Sequence, residues 1–350
     1  MMARLARRWR TDGADRDAMY QDDPGLSMAP FRQALDAEPH VENMVLRGLD
    51  GWLFLWTGTN RVHRLFTEPD AMPEARIDAW ARLIEERAQR ITALGAEFRQ
   101  LIIPDKISIY PEYVPVALPY FDRHPARRIA SRMQDNPTFV DLLGPLRGSD
   151  SSLTERRGAA MRGETPPAPA PLLYWQTDSH WSNEGCEIGY RTLCSSLGVV
   201  PRDFADRPCI NQAQAVLDLG NKLDPVWREG RRLRMFLREG RRVAENAITR
   251  ETESQARKAT SRHVGSYVAW HNDSAKADPR RVVIFGDSFA NYRTGLSVML
   301  AETFREVHFV WALSLDHAFI EEIAPDIVIA ETAERFMVRS PGDRFTLVRD

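Results

Sequence analysis

The stretch Val-Val-Ile-Phe-Gly-Asp-Ser-Phe at residues 282–289 decides the fold that we expect for this chain of 350 residues. Its four apolar residues predict a buried strand, and Gly-Asp-Ser predicts a tight turn directly after it. A helix is predicted over 291–304. A serine at such a turn projects its hydroxyl from the carboxyl edge of a sheet, where backbone N–H groups can stabilise an oxyanion. Ser288 is therefore a candidate nucleophile, and an ordinary helix-capping serine is the alternative.

A second polar segment, Thr-Asp-Ser-His-Trp at 177–181, follows a short predicted strand at 172–175 and precedes a helix predicted over 182–197. Histidine is the usual general base for a serine nucleophile because its pKa lies near 7. An Asp two residues before it can orient the imidazole and stabilise the imidazolium ion. The alternative is a capping Asp beside a structural His. Because strand ends of one parallel sheet meet at a common edge, we expect Ser288, His180 and Asp178 to form a catalytic triad.

The surrounding sequence alternates between predicted strands and helices. Strands are predicted at 51–56, 101–103, 138–140, 307–311 and 325–330, and helices at 73–95 and 316–323. This order is typical of a doubly wound α/β domain with a parallel sheet. We assign residues 46–340 to that domain, 1–45 to an N-terminal arm and 341–350 to a C-terminal tail.

Residues 200–280 interrupt this alternation and predict an inserted β-rich subdomain. From 228 to 262 the chain carries 11 Arg or Lys residues against 5 Asp or Glu residues. Leu233, Met235 and Leu237 alternate with other side chains, which predicts a strand or hairpin. We expect Arg234 and Arg238 to project from it and bind an anionic glycan. A solvated charged face is the alternative.

Composition excludes several classes of function. Lys plus Arg is 47 and Asp plus Glu is 49, so the chain lacks the overall positive charge that is typical of nucleic-acid-binding proteins. The three cysteines match no zinc pattern, and no Walker or Rossmann glycine motif occurs, so we expect neither metal nor cofactor. No apolar run of 18 residues predicts a transmembrane helix, and the basic first ten residues are not followed by the apolar stretch of a secretory signal.

Several motifs resemble a known family. Gly-Asp-Ser-Phe at 286–289 resembles the first block of the SGNH (GDSL-type) hydrolases, in which the Asp–His pair normally follows the serine. Here the pair precedes it by about a hundred residues, an order similar to that of the AlgX/AlgJ group of alginate O-acetyltransferases. Further segments similar to that group occur at 48–55, 102–115, 218–223 and 325–336, so the resemblance covers about 45–338.

The resemblance implies an SGNH-like (flavodoxin-like) three-layer α/β/α fold with permuted motif order. It also implies O-acetylation of a bacterial exopolysaccharide such as alginate, through a Ser288 acyl-enzyme with His180 as base and Asp178 as its orienting acid. The expected partners are a polysaccharide acceptor and an acetyl donor presented by a membrane acyltransferase. The family is exported, which implies the periplasm or cell envelope, whereas the missing export signal leaves the cytoplasm as the alternative. An esterase and a non-catalytic glycan-binding or assembly subunit remain open.

Four further side chains are candidates for the same crevice. Asn291 follows the nucleophile and is a candidate oxyanion donor. Lys106 and Tyr110 follow the strand at 101–103, and Lys106 is a candidate for binding a uronate carboxylate, with a solvated loop lysine as the alternative. Trp181 is a candidate for stacking on a sugar ring, and packing beside the catalytic loop is the alternative.

Overall fold

The computed structural model describes residues 40–58, 60–148, 171–254 and 263–349, and seven positions between 155 and 169. The predicted N-terminal arm therefore lies almost entirely outside the described residues. The described strands, numbered along the chain, are β1 (Val41–Glu42), β2 (Val45–Arg47), β3 (Leu53–Leu55), β4 (Glu97–Ile103), β5 (Phe139–Val140), β6 (Cys209–Ala215), β7 (Glu229–Arg234), β8 (Arg241–Glu245), β9 (Tyr267–His271), β10 (Asp278–Gly286), β11 (Phe304–Trp311) and β12 (Ile327–Ala333).

The described α-helices connect or cover these strands. They are α1 (Arg64–Thr67), α2 (Glu74–Ala93), α3 (Lys106–Ile109), α4 (Pro125–Arg132), α5 (Leu143–Gly148), α6 (Asn183–Ser196), α7 (Ala247–Ser254), α8 (Leu296–Thr303) and α9 (His317–Ile323). Among the described helices, none is both long enough and apolar enough to cross a membrane.

A seven-stranded sheet with the order β5-β4-β12-β10-β11-β9-β8 forms the centre of the molecule. The five strands from β5 to β11 are parallel, and β9 and β8 extend the sheet by antiparallel pairing. Strand β10 pairs on both sides and ends in five buried residues. This burial explains its continuous apolar run, since a central parallel strand faces packed side chains on both surfaces. The mixed α/β class predicted from the sequence is confirmed.

Side chains pack on both faces of the sheet. Neighbouring residues of a strand point to opposite faces, and His308 and Phe309 of β11 do so here. The ring of Phe319 from α9 lies 6.1 Å from that of His308, and the ring of Tyr292, which precedes α8, lies 6.1 Å from that of Phe309. The sheet is therefore covered on both sides.

Two predicted strands differ from the structure. The run at 51–56 forms β3, which belongs to a separate three-stranded sheet with β1 and β2. The run at 172–175 forms only one antiparallel bridge, between Tyr174 and Trp181. The segment that carries His180 therefore folds back on itself beside the sheet instead of extending one of its strands.

The charged region does not form the predicted hairpin. Strand β7 pairs with β6 in a two-stranded ribbon, whereas β8 pairs with β9 in the main sheet. The β7 strand ends at Arg234, and beyond it the backbone N–H groups of residues 238, 239 and 240 all donate to the buried carboxylate of Glu302. Phe236 is buried while Met235 is exposed, which reverses the predicted alternation.

Candidate active site

Ser288 lies in the turn that follows β10, where the sequence predicted it. The Asp287 side chain holds this turn, because its two carboxylate oxygens accept from the N–H groups of Phe289 (2.9 Å) and Ala333 (2.8 Å). A Cβ atom at Gly286 would lie 2.6 Å from a carboxylate oxygen of Glu331, so the position has no space for a side chain. Helix α8 begins only at Leu296, eight residues after Ser288 and five after the predicted start at 291, so its N-terminus does not follow Ser288 directly.

His180 and Asp178 lie together in the turn before α6. The backbone N–H of His180 and its Nδ1 atom contact the same oxygen of Asp178, at 2.9 and 2.7 Å. Ser182 caps α6 as predicted, with its hydroxyl accepting from the N–H of Gly185. The cap and the Tyr174–Trp181 bridge fix the two ends of this turn.

The turn brings His180 to Ser288. Nε2 of His180 lies 2.7 Å from Oγ of Ser288, on the opposite side of the ring from Asp178. A carboxylate can only accept, so Asp178 favours the tautomer with the proton on Nδ1 and leaves Nε2 to accept from the serine hydroxyl. This is the arrangement in which a neutral imidazole can remove the proton of a serine nucleophile.

The charges of the pair stabilise each other. Burial opposes ionisation of Asp178, but the charge of His180 and its hydrogen bonds outweigh it and lower the pKa of Asp178 below its usual value. Burial also opposes protonation of His180, but the Asp178 carboxylate raises the pKa of the imidazole above its ordinary 6.5. The site therefore favours the ion pair that forms once His180 has accepted a proton.

Donors for an oxyanion are present around Ser288. Its own backbone N–H donates to no acceptor among the described residues, so it is available to a substrate oxygen. Asn291 uses one amide N–H on the carbonyl of Ser288 (2.6 Å), while its side-chain oxygen accepts from the N–H groups of Arg293 and Thr294. Asn291 thus stabilises the turn, and its oxyanion role stays a prediction.

A cleft of about 120 Å³ opens at these residues. Besides Ser288, His180 and Asp178, its lining includes Trp181, Asn183, Asn291, Arg231 and Leu233. The Asn183 side chain donates to the carbonyl of Arg232 at 2.6 Å, which holds β7 against the start of α6. Arg231 and Leu233, two residues apart on β7, therefore face the cleft together.

Arg234 and Arg238, which the sequence predicted to bind the glycan, do not line this cleft. Arg234 is three positions from Arg231, on the opposite face of β7. Its guanidinium pairs with Glu187 of α6 at 2.7 Å. Arg238 lies beyond the end of β7 and pairs with Asp206 at 3.0 Å. Both guanidinium groups are thus engaged in ion pairs within the chain.

Lys106 and Tyr110 are also placed differently from the prediction. The Lys106 ammonium is buried and donates to three carbonyl oxygens of the His180 segment, those of residues 175 (2.9 Å), 176 (2.9 Å) and 178 (2.5 Å). The hydroxyl of the fully buried Tyr110 accepts from the N–H of Leu173 at 2.9 Å. Both side chains support the segment from behind rather than lining the cleft, because its unpaired backbone groups require buried partners.

Trp181 lines the cleft but is only 5% exposed. Its ring packs edge-on against Phe289, with centroids 5.3 Å apart, and covers Gly189 of α6. The side chain therefore contributes mainly to packing beneath the cleft, which was the alternative considered from the sequence.

A buried network of charged groups lies behind the nucleophile turn, and sequence reasoning assigned it no role. Arg335 donates to Asp105 at 2.8 Å and lies 5.0 Å from the centre of the Phe289 ring. Glu331 accepts from the N–H of Asp287 at 2.9 Å. Burial raises the pKa of Asp105 to about 6 and that of Glu331 well above its usual value. These residues come from 102–115 and 325–336, two of the segments that carry the family resemblance.

A second acid, Asp218, is close to the imidazole and was not predicted either. Ligand atoms of Asp178, His180 and Asp218 lie within 4.8 Å of one another, and in the described ranges no other trio of such side chains has spacing suited to a metal ion. Both ring nitrogens of His180 are already engaged, by Asp178 and by Ser288. The arrangement therefore suits proton transfer at Ser288.

Comparison with known proteins supports the family resemblance. The probable alginate O-acetylase AlgJ of Pseudomonas fluorescens is 26% identical over 201 residues, which are 55% of this chain and 41% of that protein. The chain thus spans less than half the length of the relative that it matches, and no family model matches it. The match confirms the similarity to the AlgX/AlgJ group that the motifs indicated.

Solved structures share the fold. The O-acetyltransferase domain of Pseudomonas putida AlgJ superposes with a TM-score of 0.51 at 17% identity, over 86% of this chain and 95% of that one. A DHHW family protein from Eubacterium siraeum gives 0.54 at 12% identity, over 87% and 95% of the two chains. Bacillus cereus PatB1 with a sulfonyl adduct gives 0.50 at 14% identity, over 83% and 98%.

Proposed function

We propose that this relative of AlgJ is an O-acetyltransferase that carries an acetyl group on Ser288 and passes it to hydroxyl groups of an alginate-like bacterial exopolysaccharide. The observation that carries the proposal is the position of His180, 2.7 Å from Ser288 Oγ through one ring nitrogen and 2.7 Å from Asp178 through the other. The sequence match to AlgJ supports acetyl transfer as the reaction.

In the first half-reaction, Oγ of Ser288 attacks the carbonyl carbon of the acetyl donor while Nε2 of His180 accepts the serine proton. Asp178 stabilises the resulting imidazolium. The N–H of Ser288 can donate to the oxyanion of the tetrahedral intermediate, since it has no acceptor within the described part of the chain. The intermediate collapses when the donor's leaving group departs with the proton from His180, and Ser288 is left as an acetyl ester.

In the second half-reaction, a sugar hydroxyl enters the cleft and gives its proton to His180. Its oxygen attacks the acetyl ester, and the second intermediate collapses to release Ser288, which recovers the proton from His180. The product is an O-acetylated sugar. If water attacked in place of the sugar, the same residues would perform an esterase reaction.

Arg231 is the residue that we assign to the acceptor, in place of Arg234 and Arg238. Its Nε donates to the side-chain oxygen of Gln212 at 2.6 Å, which fixes the guanidinium at the cleft. Its two terminal nitrogens have no partner among the described residues. A guanidinium fork held in this way suits the carboxylate of a uronate sugar.

The family resemblance supports several finer features of the proposal. The Asp–His pair precedes the serine, which is the permuted order of the AlgX/AlgJ group, and the β6–β7 ribbon is the inserted element that borders the cleft. We place the reaction in the cell envelope. An acetyl donor presented by a membrane acyltransferase partner would supply the first half-reaction.

Intact-mass measurement after incubation with an activated acetyl ester tests the proposal. One added acetyl group, mapped to Ser288 and absent from Ser288→Ala, is the expected result. Transfer of that group to an added uronate glycan, rather than release as acetate, distinguishes the transferase from an esterase. Glycan binding without any acyl-enzyme would instead indicate a non-catalytic binding or assembly subunit and contradict the proposal.

A further inference from the structure

Asp218 holds the turn that carries His180. One carboxylate oxygen accepts from the backbone N–H of Ser179 at 2.7 Å, and the other accepts from its hydroxyl at 2.6 Å. The following two residues reinforce the contact, since the N–H groups of Leu219 and Gly220 both donate to the carbonyl of Thr177, at 3.1 and 2.9 Å. The segment beginning at 218 is thus attached to the Asp178–His180 turn by four hydrogen bonds.

The same carboxylate is close to the imidazole. Oδ2 of Asp218 lies 3.8 Å from Nδ1 of His180, the nitrogen that Asp178 contacts at 2.7 Å. A hydrogen bond requires about 2.7–3.2 Å, so a movement of roughly 1 Å would allow Asp218 to accept from Nδ1. His180 therefore has two carboxylates on its Nδ1 side and Ser288 on its Nε2 side.

The charges around His180 define what the second carboxylate can do. Asp178 and Asp218 are negative and favour the imidazolium, whereas the buried Arg335 opposes it. Burial and the charge of Asp178 raise the pKa of Asp218 above its usual value, while the two donors of Ser179 favour its anion. The side chain is 38% exposed, so its charge is partly screened by solvent.

We propose that Asp218 is a positioning residue with two effects: it fixes the Asp178–His180 turn through Ser179, and it is a second acceptor for His180 Nδ1 when Asp178 cannot fill that role. The inference rests on the proposed function for its effect on turnover, but not for its effect on the protonation of His180. It predicts that the two acids are partly redundant.

The direct test is NMR titration of the His180 ring in the wild type and in Asp218→Asn. Loss of one partly exposed negative charge should lower the midpoint by about 0.5 pH unit. Ser179→Ala is the matched control, because it removes the hydrogen bond from the Ser179 hydroxyl to Asp218 and keeps the charge of Asp218. The His180 midpoint in this variant should equal that of the wild type. An unchanged midpoint in Asp218→Asn would overturn the electrostatic effect. If Asp218→Asn does not fold, Asp218→Ser gives the same comparison.

The redundancy is tested by turnover of an acetyl ester in Asp178→Ala, Asp218→Ala and the double variant, because an Asn side chain would keep an oxygen that can accept from Nδ1. The double variant should lose at least about tenfold more than the product of the single losses, because only then does Nδ1 lose both acceptors. Losses that simply multiply would show that Asp218 is no second acceptor. A wild type that forms no acyl-enzyme would contradict the proposed function, whereas the NMR titration would still test Asp218.

Discussion

Nε2 of His180 lies 2.7 Å from Oγ of Ser288, although 108 positions separate the two residues in the chain. Ser288 is fixed by the end of a central strand, and His180 by a turn that Lys106 holds from behind through three carbonyl oxygens. Two independently supported segments thus meet at one hydrogen bond. In the proposed mechanism, the serine proton is transferred through this contact.

If Ser288 and His180 act as one unit, removing either should abolish the same step. Ser288→Ala and His180→Ala should each reduce turnover of an acetyl ester by at least about 10³-fold, with the fold intact by circular dichroism. The double variant should be little worse than either single variant. Losses that multiply would mean that the two residues do not share a mechanism.

The nucleophile segment could be predicted from the sequence because its signals are local. A central parallel strand requires a continuous apolar run, and 282–285 provides one before Gly286 and Ser288. Ser182 was likewise identifiable as a helix cap from its own position. The two-residue spacing of Asp178 and His180 also predicted that the carboxylate would contact the imidazole. That prediction did not depend on the strand expected at 172–175, which proved to be a single bridge.

The supporting residues could not be predicted in the same way. Lys106 donates to backbone carbonyls about seventy positions away. Every residue has a backbone carbonyl, so the residue types do not show which carbonyls will need a buried donor. Arg234 was predicted to face the glycan because a hairpin within 228–262 was expected, whereas β7 pairs with β6. Because neighbouring residues of a strand point to opposite faces, a shift of one position decides which arginine faces the cleft.

The pH dependence of acylation should follow His180. Because the imidazole must be neutral to accept the serine proton, kcat/KM should rise with pH through the pKa of His180. Burial lowers that pKa, but the Asp178 carboxylate outweighs burial and raises it above 6.5, so the midpoint should lie above 6.5. Initial rates between pH 5 and 9 measure it. A midpoint below 6.5 in the wild type would contradict the described pairing with Asp178.

Glu334 should matter for stability. This fully buried carboxylate accepts four hydrogen bonds, from the N–H groups of Asp105 and Ala126 (both 2.8 Å), the Ser108 hydroxyl and Nδ1 of His124 (both 2.6 Å). Glu334→Ala would leave these donors without a buried acceptor and should lower the free energy of unfolding by about 3–5 kcal/mol, measured by urea denaturation.

An exposed ion pair provides the control for Glu334. Glu68 pairs with Arg64 at 2.6 Å, but both side chains are 41% exposed. Glu68→Ala should therefore cost less than about 1 kcal/mol. Equal losses of unfolding free energy in the two variants would contradict the prediction that burial makes the Glu334 hydrogen bonds more stabilising than an exposed ion pair.

Arg231 should determine the preference for an anionic acceptor. Its guanidinium lines the cleft of Ser288 with both terminal nitrogens unpaired among the described residues, and a charge-assisted hydrogen bond to a carboxylate would favour a uronate chain. Arg231→Ala should raise KM for a uronate acceptor by about tenfold. The substitution should also make KM for the uronate acceptor less dependent on salt concentration. Salt screens the attraction between the guanidinium and the uronate, with a Debye length of about 8 Å at physiological ionic strength.

Arg234→Ala and Arg238→Ala are the matched controls, because they remove the same charge from neighbouring positions. Their guanidinium groups pair with Glu187 and Asp206 inside the chain, so a glycan would have to compete with those carboxylates. Acceptor KM should therefore change much more in Arg231→Ala than in either control. Equal changes in all three variants would indicate a diffuse attraction by the charged ribbon. A change confined to Arg231→Ala that disappears with a neutral glucan acceptor would assign the effect to the acceptor's carboxylate, because only that group distinguishes the two glycans at the guanidinium.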